Sequence, residues 1–268
     1  MHEELAAATA AAEAGAARVR SAEGSTGRIR AKSSATDLVT ETDIAAGVAV
    51  WEAIVARDPG ARLVIEEEEV HDITGAARGS LTDPEVWCVD PLDGTTSFVH
   101  GFPAYSVSVA LLRDGVPVAG AVANVPLAET IAAATGLGTQ RDGELVHCTD
   151  APRLDEALLV TGFPYDRGAL LDRQISALTA FLRAPVHGIR RDGSAAIDCT
   201  HVATGRADGF WEFGLKPWDT AAGVVICREA GAHVTGIDGE EWSVTSTGII
   251  TANPTLHSLI AEIVAATG

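Results

Sequence analysis

The sequence predicts an α/β fold in which helices and sheets are stacked in layers. Residues 3 to about 22 are rich in alanine with scattered Glu and Arg, a composition that favours a helix. The middle of the chain carries valine-rich runs separated by turns, which is typical of an antiparallel meander. Beyond about residue 150, short apolar runs alternate with helical segments. We therefore expect a single domain over residues 1–268 with two halves, about 1–150 and about 151–268.

Composition and charge narrow the class of protein. The chain of 268 residues is 47% apolar, which suffices for a large core. Its formal charge of −18 disfavours nucleic acid and anionic membranes as partners, because these attract basic patches. The four cysteines lack any metal-binding spacing and are expected as buried free thiols in a reducing compartment. No apolar run reaches about 18 residues and the chain starts with acidic residues, so we expect a cytoplasmic protein without membrane helix or signal peptide.

A short acidic turn is the most informative stretch of the sequence. Residues 86–89 are an apolar run expected to form a buried strand, which should end at Asp90 because Pro91 lacks a backbone donor. The following turn brings Asp90 and Asp93 within about 7 Å, and two carboxylates that close repel unless a cation lies between them. Amides at Gly94–Thr96, where a short helix is expected to begin, would face an anion. The stretch predicts metal-assisted phosphate chemistry; the alternative is a surface turn with solvated aspartates.

Segments that precede this turn in the chain contain further candidate site residues. Lys32 is one of only two lysines, so a compact ammonium group at this point is either functional or a solvated loop residue. Thr42 or Asp43 is expected to cap a helix that runs to about Ala56. The buried strand 63–65 leads directly into four glutamates, at the position where open α/β sheets bind ligands; the alternative is a solvated charged face.

The remaining elements follow from the apolar pattern. Residues 70–85 are expected to be a polar loop, and residues 113–115 to be the turn of a hairpin. Strands are predicted at 105–112, 116–125, 129–135, around 142–143, and at 158–160, 187–189, 207–213 and 244–252. Helices are predicted at 169–182, 195–203, 218–230 and 254–266.

Residues 90–103, with the sequence DPLDGTTSFVHGFP, closely resemble the signature of the inositol monophosphatase family. Three further blocks agree in the same order, namely residues 37–43, residues 67–68, and residues 218–223 with 229–231. The resemblance therefore covers almost the whole chain. It implies the five-layer αβαβα sandwich of the inositol monophosphatase and fructose-1,6-bisphosphatase type, a homodimer, and a Mg²⁺-dependent phosphatase that Li⁺ inhibits.

The resemblance also implies a set of metal ligands. It assigns two or three Mg²⁺ ions to Glu67, Asp90, the carbonyl of Leu92, Asp93 and Asp219. All of these are hard oxygen ligands, which favour Mg²⁺ over zinc or copper. In this arrangement Asp90 bridges the first ion and the second ion, and a third ion is held weakly near Glu67.

One departure from the family pattern affects the first ligand. The family carries Gly-Glu-Glu where this chain has Glu66, Glu67 and Glu68. Glu67 is the best match to the metal-binding glutamate, and Glu68 is the alternative.

The family resemblance makes water the nucleophile. It implies that Thr95, paired with Asp43, and Glu67 orient and deprotonate this water, with Lys32 near the metal site. Two alternatives are that Asp43 is a plain helix cap, and that one of the turn aspartates attacks the phosphate covalently.

The substrate pocket is also assigned by resemblance, and Glu212 in it indicates a polyol such as inositol 1-phosphate. The implied substrate-binding residues are Asp93, Gly94, Thr95, Gly193, Ser194, Ala195, Glu212 and Asp219. Alternative substrates are histidinol phosphate, fructose 1,6-bisphosphate and 3′-phosphoadenosine 5′-phosphate. Nucleotides and bisphosphates need extra basic groups, for which Arg190, Arg191 and Lys216 are candidates.

The sequence shows no obvious aromatic wall for a base, although Trp211 and Trp218 lie close to Glu212 along the chain. A function of a different class, a regulatory binding protein on the same fold, is the other alternative, because a fold alone does not give function.

Overall fold

The computed structural model describes residues 1–24, 29–31 and 38–267. Lys32 and Asp37 lie outside the described residues. The helices are α1 His2–Ser21, α2 Glu41–Val55, α3 Glu69–Thr74, α4 Thr95–His100, α5 Ala169–Arg183, α6 Ala195–Ala203, α7 Pro217–Glu229 and α8 Pro254–Ala265. The strands are β1 Ile29–Ala31, β2 Leu38–Thr40, β3 Arg62–Ile65, β4 Ala77–Arg78, β5 Val86–Asp93, β6 Ser106–Arg113, β7 Val116–Asn124, β8 Glu129–Ala134, β9 Thr139–Arg141, β10 Glu144–Val146, β11 Leu158–Thr161, β12 Gly188–Arg190, β13 Gly209–Phe213, β14 His233–Gly236 and β15 Gly248–Ala252.

The described elements form five layers. Helices α1 and α2 bury their apolar faces on one side of an eight-stranded sheet. Helices α6 and α7 lie between this sheet and a five-stranded sheet, where they share one core with both. Helices α5 and α8 cover the outer face of the five-stranded sheet. This order confirms the αβαβα sandwich that the resemblance implies.

Each of the two sheets has parallel strands at one of its edges. The large sheet has the order β10-β9-β8-β7-β6-β5-β3-β4, in which β3 pairs in parallel with both β5 and β4. The small sheet has the order β12-β11-β13-β15-β14, in which β11 runs parallel to β12 and β13. Short β1 and β2 form a separate antiparallel pair.

Strand β5 does not end at Asp90 as expected but continues through Pro91 to Asp93. Its register with β6 is interrupted, since Asp90 faces Ser108 while Asp93 faces Ser106. Two residues of β5 therefore face one residue of β6, which is the pattern of a bulge, so residues 90–93 form a bulged strand and not the predicted turn. A proline is tolerated at a bulge because no ladder hydrogen bond requires its missing N–H.

Helix α2 begins earlier than expected. Its N-cap is Thr40, whose Oγ1 accepts a hydrogen bond from the Thr42 amide at 3.1 Å. Asp43 is the third helical residue and accepts from the Thr40 amide at 2.9 Å, so the pair forms a capping box. Neither Thr42 nor Asp43 is the capping position.

Three further expectations need correction. Residues 70–85 are not a continuous polar loop, because they include most of α3 and all of β4. Residues 142–143 form the turn between β9 and β10 rather than a strand, with φ values of +51° at Asp142 and +89° at Gly143. The strand predicted at 244–252 begins only at Gly248. Strand β14, which precedes it, was not predicted.

Other expectations are confirmed. Asp114 and Gly115 make the predicted hairpin turn with φ values of +49° and +81°. All four cysteines are free thiols, and three of them are buried. In the part of the chain that the structure describes, no helix combines the length and apolar character needed to cross a membrane.

Candidate active site

The acidic residues meet because two neighbouring strands run parallel and end at the same edge of the large sheet. In the β3–β5 pair, Ile65 lies opposite Val89. The next residues are Glu66 and Asp90, and the Glu66 amide donates to the Val89 carbonyl oxygen at 3.2 Å. Ligands in open α/β sheets bind at this end of the strands. The glutamate run and the acidic turn thus lie side by side.

The chain leaves β5 through Gly94, which precedes α4. Its φ of +91° lies in the left-handed region that favours glycine. A Cβ at this position would lie 2.6 Å from the carbonyl oxygen of Ala104. Only glycine therefore fits between β5 and α4, and it places Thr95 at the first position of the expected short helix.

Thr95 is linked to the start of α2 by a buried hydrogen bond. Its hydroxyl lies 2.9 Å from Oδ1 of Asp43 and 3.0 Å from the carbonyl oxygen of Leu92, and its single proton serves one of these acceptors at a time. The other oxygen of Asp43 accepts from the amide and hydroxyl of Thr40. Asp43 therefore belongs to the capping box and contacts Thr95 as well, so the two interpretations from the sequence are compatible.

Asp93 joins the two halves of the chain. Its Oδ2 accepts from the Ser194 hydroxyl at 2.7 Å and from the Ala196 amide at 2.8 Å, at the beginning of α6. The Ser194 hydroxyl also lies 3.1 Å from that of Ser106 on β6. These contacts fix the segment around Gly193 against the acidic turn.

Asp219 reaches the site from α7. This helix has Pro217 in its first turn, as expected, and Asp219 Oδ2 accepts from the Lys216 amide at 2.7 Å. The Ser108 hydroxyl of β6 donates to the carbonyl oxygen of Trp218 at 3.2 Å. That contact ties the first turn of α7 to the strand next to β5.

Glu212 enters from β13 and is 8% exposed. A Cβ on Gly162 would lie 2.2 Å from the Glu212 carboxylate, so the glycine makes room for this side chain. Trp211 is the adjacent residue on the strand and is 0% exposed, packed on Phe181 in the outer core. Since successive side chains of a strand point to opposite faces, Trp211 points away from the site.

These elements enclose one pocket between the two halves. Most of the residues predicted from the sequence line it, namely Asp90, Leu92, Asp93, Gly94, Thr95, Gly193, Ala195, Glu212 and Asp219.

Four predicted residues are not among the described residues that line this pocket, although Asp43 and Ser194 hydrogen-bond to residues that do. Glu67, Asp43 and Ser194 are buried and are not among the lining residues of the described chain. Glu68, the alternative to Glu67, has a 67% exposed side chain that pairs with Arg78. Glu68 therefore faces solvent.

The pocket also contains residues that sequence reasoning missed or left open. Glu66, Phe163, Tyr165 and Leu215 line it, and of the three basic candidates only Arg191 does so among the described residues. An aromatic wall therefore exists, but Phe163 and Tyr165 supply it rather than the tryptophans. Because neighbouring side chains of a strand point to opposite faces, the sequence could have excluded Trp211 from the pocket once Glu212 was assigned to it. No pattern in the sequence near residues 163–165 predicts that they line the same pocket as residues of β5.

Burial and crowding change the charge state of the pocket. Burial, opposed by the hydrogen bonds from Ser194 and Ala196, raises the pKa of Asp93 to about 6. Burial, and then the charge of Asp93, raises the pKa of Asp219 well above its usual range. The same two causes raise the pKa of Glu212 to about 8, while Arg191 opposes this rise. Carboxyl groups this close cannot all ionise easily unless a positive charge balances them.

The donor chemistry of the pocket fits a hard cation such as Mg²⁺. Carboxyl groups and the Leu92 backbone line it, and no His or Cys side chain does within the described chain. In the described residues no group of three or more acidic, His or Cys side chains is already arranged to hold a metal ion. One oxygen of Asp93 and one of Asp219 instead accept from the local donors described above. The residue types therefore fit a hard cation.

Comparisons with known proteins agree with the fold. The sequence profile of the inositol monophosphatase family matches residues 1–267. An inositol-1-monophosphatase of Synechocystis sp. is 39% identical over 97% of this chain and 88% of its own length. A Neisseria meningitidis protein named putative Nus factor SuhB is 36% identical over 86% of this chain and 85% of its own length. The solved inositol monophosphatase of Anabaena (Nostoc) sp. superposes with a TM-score of 0.83 at 33% identity, over 98% of this chain and 94% of that one.

The fold and the matches over almost the whole chain thus define the class of protein as a phosphatase. The chain belongs to the inositol monophosphatase family.

Proposed function

We propose that this protein is a Mg²⁺-dependent phosphomonoesterase that hydrolyses a polyol monophosphate, with myo-inositol 1-phosphate as the preferred substrate. The observation that carries this proposal is the convergence of Asp90, Asp93 and Asp219 with Thr95 and Glu212 in one pocket. The three aspartates suit a hard cation. The Thr95 hydroxyl suits a water molecule, and the Glu212 carboxyl group suits a hydroxyl group of the polyol.

Glu67, Asp90, the Leu92 carbonyl, Asp93 and Asp219 would hold two or three Mg²⁺ ions. When bound, such ions make water a better nucleophile and balance the charge on the phosphate. Glu66 lines the pocket where the family has glycine, so it adds one more carboxylate to this group. The role of Lys32 stays a prediction.

Thr95 would orient the attacking water. When its hydroxyl proton is directed to Asp43 Oδ1, 2.9 Å away, a lone pair of Thr95 Oγ1 is left to accept from water. Asp43 is itself fixed by two donors from Thr40, so the Thr95 hydroxyl has a defined direction. Glu67 is the proposed proton acceptor for this water.

A panel of phosphomonoesters tests the proposal. We expect phosphate release to depend on Mg²⁺, and kcat/KM for inositol 1-phosphate to exceed that for histidinol phosphate and for 3′-phosphoadenosine 5′-phosphate. A site that hydrogen-bonds substrate hydroxyls discriminates against analogues that lack them. A higher kcat/KM for the nucleotide or for histidinol phosphate would refute the polyol assignment and leave the metal chemistry untouched.

Above the pKa of about 8 that burial and Asp93 give Glu212, at roughly pH 9, Glu212→Gln is expected to reduce the preference for inositol 1-phosphate over a simple aryl phosphate by about tenfold, because one acceptor oxygen of the carboxylate becomes a donor. The measurement is the ratio of kcat/KM values for the two substrates. Glu144→Gln is the matched control, since Glu144 is exposed on β10. An unchanged ratio in Glu212→Gln would show that this carboxylate does not contact the polyol.

Lithium sensitivity is expected if Asp90, Asp93 and Asp219 form the second ion site of the family. Uncompetitive inhibition of phosphate release should appear as LiCl is raised at fixed Mg²⁺, with NaCl at equal ionic strength as the control. Equal rates in the two salts would argue that this second site is altered here.

A regulatory binding protein on the same fold is the alternative of a different class. The Neisseria relative is named as a factor rather than as an enzyme, which favours keeping this alternative. Absence of phosphate release from the whole panel would support it.

We also infer a cytoplasmic homodimer. The four free thiols support a reducing compartment. The dimer is carried over from the family, and size-exclusion chromatography with light scattering tests it.

A further inference from the structure

Residues 191–194 connect β12 to α6 and contribute to the wall of the pocket. At one end of this segment, the Ser194 hydroxyl donates to Asp93 at 2.7 Å. Nearer its other end, Asp192 Oδ2 lies 3.5 Å from Nε2 of His201, which is further along α6. Both side chains of this second contact are partly buried, with 32% of Asp192 and 16% of His201 exposed. The segment is therefore tied to the helix that follows it as well as to the acidic residues of β5.

His201 has a second ring nitrogen that faces the interior. Its Nδ1 is buried and has no hydrogen-bond partner within the described chain. Asp198 precedes His201 by three residues on α6, so the two side chains are neighbours on one face of the helix. Asp198 is 0% exposed, and among the described residues neither of its carboxyl oxygens has a partner. Buried polar groups without partners are rare, and here they occur together on one face of one helix.

The hydrogen-bonding properties of these side chains are complementary. Burial, and then the charge of Glu212, raises the pKa of Asp198 well above its usual range, so this carboxyl group keeps its proton and can donate. A histidine that directs its Nε2 proton to Asp192 has an acceptor at Nδ1. The contact with His201 lowers the pKa of Asp192, which keeps that carboxylate an acceptor. Asp198, His201 and Asp192 thus match as donor, acceptor with donor, and acceptor.

We propose that His201, supported by Asp198, is a positioning residue for substrate binding that acts by holding Asp192 and, through it, the backbone of residues 191–194. This inference rests on the proposed phosphatase function, in which this segment meets the hydroxyl groups of the polyol. Gly193 follows Asp192 with a φ of +99°, and the backbone of glycine is permissive. A side-chain anchor directly before this glycine therefore limits how far the segment can move away from the polyol.

His201→Leu tests the proposal, because it keeps a side chain of similar size and removes both ring nitrogens. We expect KM for inositol 1-phosphate to rise by about tenfold, which corresponds to the loss of one hydrogen bond to a charged group. KM for 4-nitrophenyl phosphate, which lacks the polyol hydroxyls, should stay unchanged. The kcat for both esters should change by less than about threefold, since lost ground-state binding appears in KM. Thr95 and Asp43, which belong to α4 and α2, are not altered.

Further variants show whether the residues act through one another. Asp192→Ala should raise KM for inositol 1-phosphate as much as His201→Leu does, and the double variant should raise it no further. His201→Gln keeps an N–H donor and an acceptor, and Asp198→Asn keeps an uncharged donor, so both should retain most of the affinity. His147→Leu is the matched control, because His147 is exposed just after β10.

Circular dichroism checks the fold of each variant, and Asp192→Ala gives the same comparison of the two esters if His201→Leu does not fold. If KM for inositol 1-phosphate is unchanged, if it rises equally for both esters, or if the two single changes are additive, the inference is wrong while the phosphatase function stands. If the unaltered protein releases phosphate from neither ester, the proposed function fails and the inference fails with it.

Discussion

Asp90→Asn is expected to lower the rate of phosphate release by more than about 100-fold. Substitution of a residue that only hydrogen-bonds to a metal ligand already lowers activity by about 10–100-fold, and Asp90 is itself a proposed ligand. Asp90 is 2% exposed and lies in β5 next to the bulge, where it is the proposed bridge between two ions. The fold should survive, because the Leu92 amide donates to Asp90 Oδ1 at 3.0 Å and an asparagine oxygen can accept the same bond. Circular dichroism checks the fold, and phosphate release checks the activity.

Thermal unfolding separates the loss of a ligand from damage to the fold. Without Mg²⁺, Asp90→Asn should not lower Tm, because it removes one of several crowded carboxylates. With Mg²⁺, the rise in Tm seen for the unaltered protein should be largely lost, because an ion stabilises only the state that binds it. Asp72→Asn is the control, since Asp72 has an 81% exposed side chain. Near-normal turnover in Asp90→Asn would contradict the two-ion assignment.

Thr95→Ala is expected to lower kcat by orders of magnitude while Mg²⁺ affinity changes little. The proposed task of the hydroxyl is to orient water, and an interaction made chiefly in the transition state appears in kcat. Thr95→Ser retains the hydroxyl and should recover much of the activity. Thr96→Ala is the matched control, because Thr96 is the next residue of α4 and is exposed.

Calorimetric titration with Mg²⁺ distinguishes the two roles that Thr95 could have. The hydroxyl also lies 3.0 Å from the Leu92 carbonyl oxygen, a proposed ligand, so its loss could disturb the ion site. If Mg²⁺ affinity collapsed in Thr95→Ala, Thr95 would be a structural part of the ion site and its role in orienting water would be wrong.

Local sequence signals predicted the elements whose structure depends on neighbours along the chain. The hairpin at Asp114 and Gly115, the alanine-rich α1 and the proline at the start of α7 all belong to this group. Local signals failed where a partner strand decides the outcome. A proline normally ends a central strand, yet β5 continues past Pro91 because β5 itself forms a bulge opposite β6.

The acidic part of the site was more predictable than the rest of the pocket. Asp90 and Asp93 are three residues apart in the chain, so they stay close to each other even though residues 90–93 form a bulged strand instead of the predicted turn. Phe163 and Arg191 come from different segments of the second half and reach the turn only through the packing of α6 and the small sheet on the large one. Asp43 was predicted to be either the helix cap or a partner of Thr95. The N-cap of α2 is Thr40, while Asp43 joins the capping box through one carboxylate oxygen and contacts Thr95 through the other.

Dependence of the reaction on ions held by the pocket acids is tested by phosphate release from inositol 1-phosphate. The protein is stripped with a chelator, and release is measured before and after Mg²⁺ is restored. We expect negligible release from the stripped protein, full recovery with Mg²⁺, and no recovery in Asp90→Asn. Release that is equally fast without Mg²⁺, or that Asp90→Asn recovers in full, would contradict a mechanism based on ions held by the acids of this pocket.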